Sequence, residues 1–182
     1  MMRRNIEIKA RLSDPDGARR VVLALGARSD GLLDQTDHYF EVSATGEERL
    51  KLRLVSGRPG ELVRYRRPES AAIRTSDYEI VPVQNQDELA RLVGDRPLLV
   101  TVRKLRELLW LDNVRIHLDR VERLGSFIEF EALVDAEHDE AACHLEVREL
   151  LAALGLHESE LLQTSYSDLL MAIPSRPSPD LR

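Results

Sequence analysis

The sequence predicts an α+β chain: eight β-strands make the body, and helices lie between and after them. Three observations predict this. Apolar and polar residues alternate with period two in eight separate segments. Apolar residues recur at helical spacing in four others. The polar faces of the strands are nearly all charged, and the charges are sorted by strand.

In chain order, the first segment is Asn5 to Leu12, alternating Ile6, Ile8, Ala10 with Glu7, Lys9, Arg11. Asp14 then offers an N-cap with Pro15 at the first helical position, Ala18, Val21, Val22 and Leu25 form one face, and Gly26 is a stop. Strands follow near Leu32 to Val42 and over Arg49 to Leu54, and Gly57-Arg58-Pro59-Gly60 marks a turn. Leu62 to Arg66 and Asp77 to Val81 are the next two segments. Asn85 caps a short helix carrying Leu89, Leu92 and Val93, which ends at Gly94. Leu98 to Leu111 and Val114 to Val121 read as a hairpin turning at Asp112-Asn113, and Phe127 to Glu131 is the eighth strand. A helix near His138 to Leu154 puts Val147, Leu150, Leu151 and Leu154 on one face, and a last one carries Tyr166, Leu169, Leu170 and Ile173. Residues 1–173 are expected to form a single domain, and 174–182, with three prolines in nine residues, a disordered tail.

Composition excludes several classes. Of 182 residues, 43% are apolar, enough for a core, and 32% are charged, so neither global disorder nor a coiled-coil rod fits. No apolar run approaches the length of a membrane span, and none follows Arg3-Arg4 to suggest a secretion signal. A single cysteine, Cys143, forbids an intrachain disulfide and fits a reducing cytoplasm. Twenty-six Lys plus Arg against 32 Asp plus Glu give a net charge of −6, which argues against nucleic acid or membrane as partner but leaves room for a basic cavity. A homodimer is allowed.

The charged faces are the unusual feature. Arg49, Lys51 and Arg53 share a face, as do Arg64 and Arg66, and Lys104 and Arg106. Carboxylates answer them: Asp77 with Glu79, Asp119, and Glu129 with Glu131. Two arrangements fit. Either the charged faces meet solvent and the apolar faces pack together, or eight strands close into a barrel with charges inward and apolar faces outward beneath helices. The four amphipathic helix patterns support the second arrangement, because they need an apolar surface to cover. Buried cations on several walls then require an anion, and a polyphosphate with a divalent metal suits both signs of charge.

At this point the residues resemble a known family. Asn5-Ile6-Glu7-Ile8-Lys9 is similar to the Glu-x-Glu-x-Lys strand of the CYTH superfamily, the triphosphate tunnel metalloenzymes, with Asn5 in place of the first glutamate. Gln35-Thr36-Asp37-His38-Tyr39-Phe40, Arg49-Leu50-Lys51-Leu52-Arg53, Arg64-Tyr65-Arg66, Ser76-Asp77-Tyr78-Glu79 and Val102-Arg103-Lys104-Leu105-Arg106 resemble its later strands in family order. The most specific match is Ile116-His117-Leu118-Asp119 through Leu124-Gly125 to Phe127-Ile128-Glu129-Phe130-Glu131, and Ser165 to Leu170 resembles the C-terminal helix. Within the family the resemblance is to the class IV adenylyl cyclase-like branch.

The resemblance implies an eight-stranded antiparallel β-barrel with flanking α-helices, a charged tunnel, Mg²⁺ or Mn²⁺, and a small-molecule triphosphate: ATP, inorganic triphosphate or thiamine triphosphate. It implies metal binding by Glu7, Glu79, Asp119, Glu129 and Glu131, of which Glu7, Asp119 and Glu129 are the catalytic candidates. It implies phosphate binding by Lys9, Lys51, Arg53, Arg64, Arg66, Lys104 and Arg106. Cyclisation of ATP to cyclic AMP and pyrophosphate is the first expectation, triphosphate hydrolysis the alternative, and binding without catalysis a third, because both reactions use the same cations and metal. Asn5 offers a neutral oxygen where the motif has a carboxylate, so one metal position is expected to be weakened. His117 shares the inward face with Asp119 and reads either as a general base or, more simply, as a structural residue beside a carboxylate; Tyr166 reads either as closing one tunnel mouth or, more simply, as a core contact of its helix.

Overall fold

The structure is a computed structural model, and it describes residues 3–42, 48–66 and 73–174. The expected tail beyond 174 lies outside the described residues. Eight strands are present: β1 (Arg3–Arg11), β2 (Arg28–Phe40), β3 (Glu48–Val55), β4 (Gly60–Arg66), β5 (Arg74–Val83), β6 (Leu98–Leu111), β7 (Val114–Val121) and β8 (Gly125–Leu133). All pairings are antiparallel, and the sheet closes in the order β1-β5-β4-β3-β2-β6-β7-β8. Closure decides between the two arrangements: the charged faces of β1, β3, β6, β7 and β8 point inward, and those of β4 and β5 outward.

The helices explain why. α1 (Pro15–Ala24) starts at Asp14, whose side chain accepts from the Gly17 N–H. α3 (Glu140–Ala153) starts at Asp139, which accepts from Ala142. Ala18 and Val22 of α1, with Cys143, Val147, Leu150 and Leu151 of α3, pack on Ile6, Ile8, Ile116, Leu118, Ile128 and Phe130, the outward residues of β1, β7 and β8. Each large apolar side chain buried there contributes about 1.5–3 kcal/mol. α2 (Gln86–Val93), capped by Asn85, covers Leu50, Leu52 and Leu62 of β3 and β4 through Val93, Leu89 and Leu92. The core therefore lies outside the barrel wall, and the interior is left to polar groups. No described helix is long and apolar enough to cross a membrane.

α4 (Tyr166–Met171) is short and held by a capping box between Ser165 and Asp168. It sits over the barrel end formed by the finish of β2 and the start of β6. There Tyr166 and Leu170 pack with Tyr39, Val102, Val121 and Phe127, and Arg49 reaches Asp168 at 3.4 Å. The opposite end is the mouth, where β4 begins and β3 and β5 finish.

Candidate functional site

Inside the barrel is a cavity of about 550 Å³. Period-two geometry decides what lines it, because alternate residues of each strand face in. β1 contributes Asn5, Glu7 and Lys9, β3 Lys51 and Arg53, β6 Lys104 and Arg106, β7 Arg115 and His117, and β8 Glu129 and Glu131. Most are buried, and Lys9, Lys104 and Arg106 are each 6% exposed or less.

The basic residues are organised by two carboxylates that stand behind them. Asp37, fully buried on β2, accepts from Gln35 Nε2 at 2.9 and 3.0 Å and faces Lys51 Nζ at 3.2 Å, Lys104 Nζ at 3.4 Å and Arg53 Nε at 3.7 Å. Burial pushes its carboxyl up, but Lys51, Lys104 and Arg53 overcome that and hold it well below the usual range. Burial also draws Lys51 down to about 7, against the opposing pull of Asp37. Asp119 does the same for the neighbouring guanidinium: Arg106 donates to both its oxygens at 2.6 Å, and the Tyr166 hydroxyl donates to Oδ2 at 2.8 Å. Burial raises the Asp119 carboxyl, and Arg106 and Lys104 more than reverse it. These are bidentate, charge-assisted contacts that fix Arg106 in one orientation.

The acidic wall lies toward the mouth. Glu129 meets Lys9 through Oε1 at 3.1 Å, and Arg106 at 2.9 Å and His117 Nδ1 at 3.3 Å through Oε2. Glu131 meets Arg115 through Oε2 at 2.7 Å and His117 through Oε1 at 3.8 Å. Burial opposes ionisation of Glu131, yet Arg115 holds it at about 2. Burial and the charge of Arg106 keep His117 below its usual value. Glu7 faces Glu131 across the β1–β8 ladder.

Of the residues expected from the sequence, Glu7, Lys9, Lys51, Arg53, Lys104, Arg106, Glu129 and Glu131 line one cavity. Three do not. Arg64 and Arg66 of β4 are on the outer face: Arg64 is paired in register with outward Leu50 and with Glu79, is exposed, and meets Glu48 at 3.2 Å. The inward residues of β4 are Glu61, Val63 and Tyr65. Glu79 shares the outer face of β5 and is exposed, while Ser76, Tyr78 and Ile80 face in. The sequence showed charged against apolar on these strands, and here the charged face is the solvent one. Asp119 is inside, but both its oxygens serve Arg106 and Tyr166.

Three further contributors, Asp37, Gln35 and Arg115, carry no site role in the sequence, and a fourth, Tyr166, reads there first as a core residue. Asp37 and Gln35 organise the lysines, and Arg115 pairs Glu131. Tyr166 plugs the inner end, its ring 4.0 Å from Lys9 Nζ and 5.1 Å from Lys104 Nζ. Parity within β7 marks Arg115, since it shares a face with His117 and Asp119; nothing local marks Asp37 as a hub.

A divalent metal fits the residues present. His117, Glu129 and Glu131 each offer one ligand atom, all within 4.8 Å of one another. Nearby in the same cavity Asn5 Oδ1 is buried and accepts no hydrogen bond. Carboxylate and carbonyl oxygens with one imidazole make a usable donor set.

The chain is 25% identical over 173 residues to a Methanocaldococcus jannaschii protein provisionally named an adenylate cyclase, covering 90% of this chain and 97% of that one. Among solved structures it is similar to the PH1012 protein of Pyrococcus horikoshii, with TM-score 0.77, 24% identity, and 91% and 98% of the two chains covered. A Vibrio parahaemolyticus protein, also provisionally named an adenylate cyclase, gives TM-score 0.73, 20% identity, and 92% and 98% coverage. The CYTH domain family model matches residues 3–166, from the first barrel strand to the tyrosine that plugs the inner end, and the chain belongs to the CYTH family.

Proposed function

We propose that the cavity binds a triphosphate and that the chain is a divalent-metal-dependent enzyme acting on it, of the class IV adenylyl cyclase-like kind, converting ATP to cyclic AMP and pyrophosphate. The observation that carries this is the row Lys51, Arg53, Lys104 and Arg106, with Lys9 beside it, inside a closed barrel. Such a set of cations, all but Arg53 buried and each preset by a carboxylate, is organised for an anion with many oxygens and is costly to keep otherwise. The guanidinium of Arg106 is oriented by Asp119, so its reorganisation on binding is small. Lysines supply point charges that spread the negative charge developing during phosphoryl or nucleotidyl transfer. Tyr166 closes the inner end and keeps water from that side. Glu129, Glu131 and His117 would hold the metal, which supplies Lewis-acid polarisation of the phosphate oxygens and of the nucleophile. The family membership and the name of the archaeal relative support the same reading.

Hydrolysis of the triphosphate is the second reading. The mouth residues Leu33, Val55, Ile80, Pro82 and Leu108 are apolar. They can seat an organic group, yet they carry no side-chain donor or acceptor to fix a purine, which cyclisation requires and hydrolysis does not. Product analysis separates the two. EDTA-stripped protein is given Mg²⁺ or Mn²⁺ with ATP, inorganic triphosphate or thiamine triphosphate, and products are resolved by phosphorus NMR. Cyclic AMP with pyrophosphate is the expected result. Orthophosphate without a cyclic product establishes hydrolysis, and no product from any triphosphate rejects both.

A further inference from the structure

We propose that the imidazole of His117 is a ligand of the cation held by Glu129 and Glu131, and that this nitrogen makes the site prefer a first-row transition ion, Mn²⁺ or Co²⁺, over Mg²⁺. The inference rests on the reading that this cavity takes a metal together with its triphosphate.

The geometry is specific about atoms. His117 Nδ1 lies 3.3 Å from Glu129 Oε2 and 3.8 Å from Glu131 Oε1. The other oxygen of each carboxylate is committed elsewhere, Glu129 Oε1 to Lys9 and Glu131 Oε2 to Arg115. The nitrogen and the two oxygens facing it thus converge on one point, with the lysine and the arginine bracketing it from behind. Arg106 also reaches Glu129 Oε2, and it keeps its two bonds to Asp119 when an ion takes that oxygen. A second observation points to a ligand in the same cavity. Asn5 is 3% exposed, lines the same cavity, and its Oδ1 accepts no hydrogen bond. A buried amide oxygen without a donor is costly unless a cation or water occupies the space before it.

The donor set then reads one imidazole nitrogen and two carboxylate oxygens. Mg²⁺ favours oxygen ligands, holds its water tightly and is bound best by carboxylates and phosphates. Imidazole favours later first-row ions, and affinity for mixed sites climbs from Mn²⁺ to Co²⁺. The simpler alternative is that His117 only donates a hydrogen bond to Glu129, and it predicts no nitrogen at the metal.

Pulsed EPR of Mn²⁺ bound to the EDTA-stripped full chain decides between them. A nitrogen coupling from His117 is expected in the wild type and is lost in His117→Gln, which keeps a hydrogen-bonding side chain. Calorimetry is expected to rank Mg²⁺ below Mn²⁺ and Mn²⁺ below Co²⁺. In the variant Mn²⁺ affinity falls roughly tenfold or more, while Mg²⁺ affinity stays within about twofold. Absence of nitrogen coupling in the wild type, or Mg²⁺ bound as tightly as Mn²⁺, overturns the assignment; neither readout depends on the variant folding. Tripolyphosphate titrated in EDTA on the same preparation tests the underlying reading separately. Coupling absent while tripolyphosphate binds removes His117 alone, and absence of both removes the triphosphate reading as well.

Discussion

Asp37 and Lys51 meet at 3.2 Å inside the barrel, a fully buried carboxylate against a lysine whose side chain is 10% exposed. The same oxygen of Asp37 also faces Lys104 at 3.4 Å, so one carboxylate holds two cations of the candidate phosphate grip in place. Asp37→Asn leaves Lys51 buried without its carboxylate partner and Lys104 with only Asp119, 3.9 Å away. A loss of about 3–5 kcal/mol in urea unfolding is expected, the usual consequence of breaking a buried pair from one side. Tripolyphosphate should recover part of that stability in the variant, because it supplies the missing negative charge.

Lys51 sets a pH dependence. Burial brings it from 10.5 to about 7, so it is charged below that value and neutral above it. Triphosphate affinity should therefore be highest below pH 7 and fall as pH rises through it. Above pH 7 binding should take up a proton, visible as a buffer-dependent heat in calorimetry. Folding stability has the opposite sign. Between pH 7 and 10.5 the unfolded chain binds the extra proton, so the contribution of Lys51 to stability rises with pH across that window.

Arg106→Ala should lower both affinity and stability. The guanidinium holds Asp119 and Glu129 at once, and its removal leaves two buried carboxylates short of a partner. A destabilisation of about 3–5 kcal/mol in chemical denaturation accompanies the loss of triphosphate binding. A variant that binds normally would remove Arg106 from the site.

Tyr166→Phe deletes the hydroxyl that donates to Asp119 while leaving the ring over Lys9. A hydrogen bond to a buried carboxylate contributes about 1.5–3 kcal/mol, and the melting temperature should drop accordingly. Retention of the wild-type melting temperature would mean that the plug is held by apolar packing alone.

Arg64→Ala should change triphosphate affinity by less than about twofold and stability by less than about 0.5 kcal/mol, since its side chain is 52% exposed on the outer wall. The same holds for Arg66→Ala. A large loss of affinity in either would contradict the outward placement of these side chains.

These residues also show where the sequence was legible. Strand alternation and helix caps locate the elements because both are local: Asp14 and Asn85 cap where their positions suggest. The charged sides of β1, β3, β7 and β8 face the interior because their opposite sides are runs of Ile, Leu and Phe that helices cover. β4 and β5 misled because a charged-against-apolar face has no sign of its own. Which face is interior depends on the register with β3 and β1, fixed only when the barrel closes. Nothing local singles out Asp37, since its importance comes from three strands meeting at one oxygen. Tyr166 looked like an ordinary helix-face residue because its partner Asp119 is 47 positions away.

The central claim is that Lys51, Arg53, Lys104 and Arg106 form a triphosphate grip, and calorimetric titration of tripolyphosphate into EDTA-stripped protein at pH 6.5, about half a unit below the Lys51 midpoint, tests it most directly. The account predicts one site per chain in the wild type and at least roughly tenfold weaker binding in Arg53→Gln, a partly exposed member of the row whose loss spares the buried Arg106 network. No binding to the wild type, or equal affinity in the variant, would contradict it.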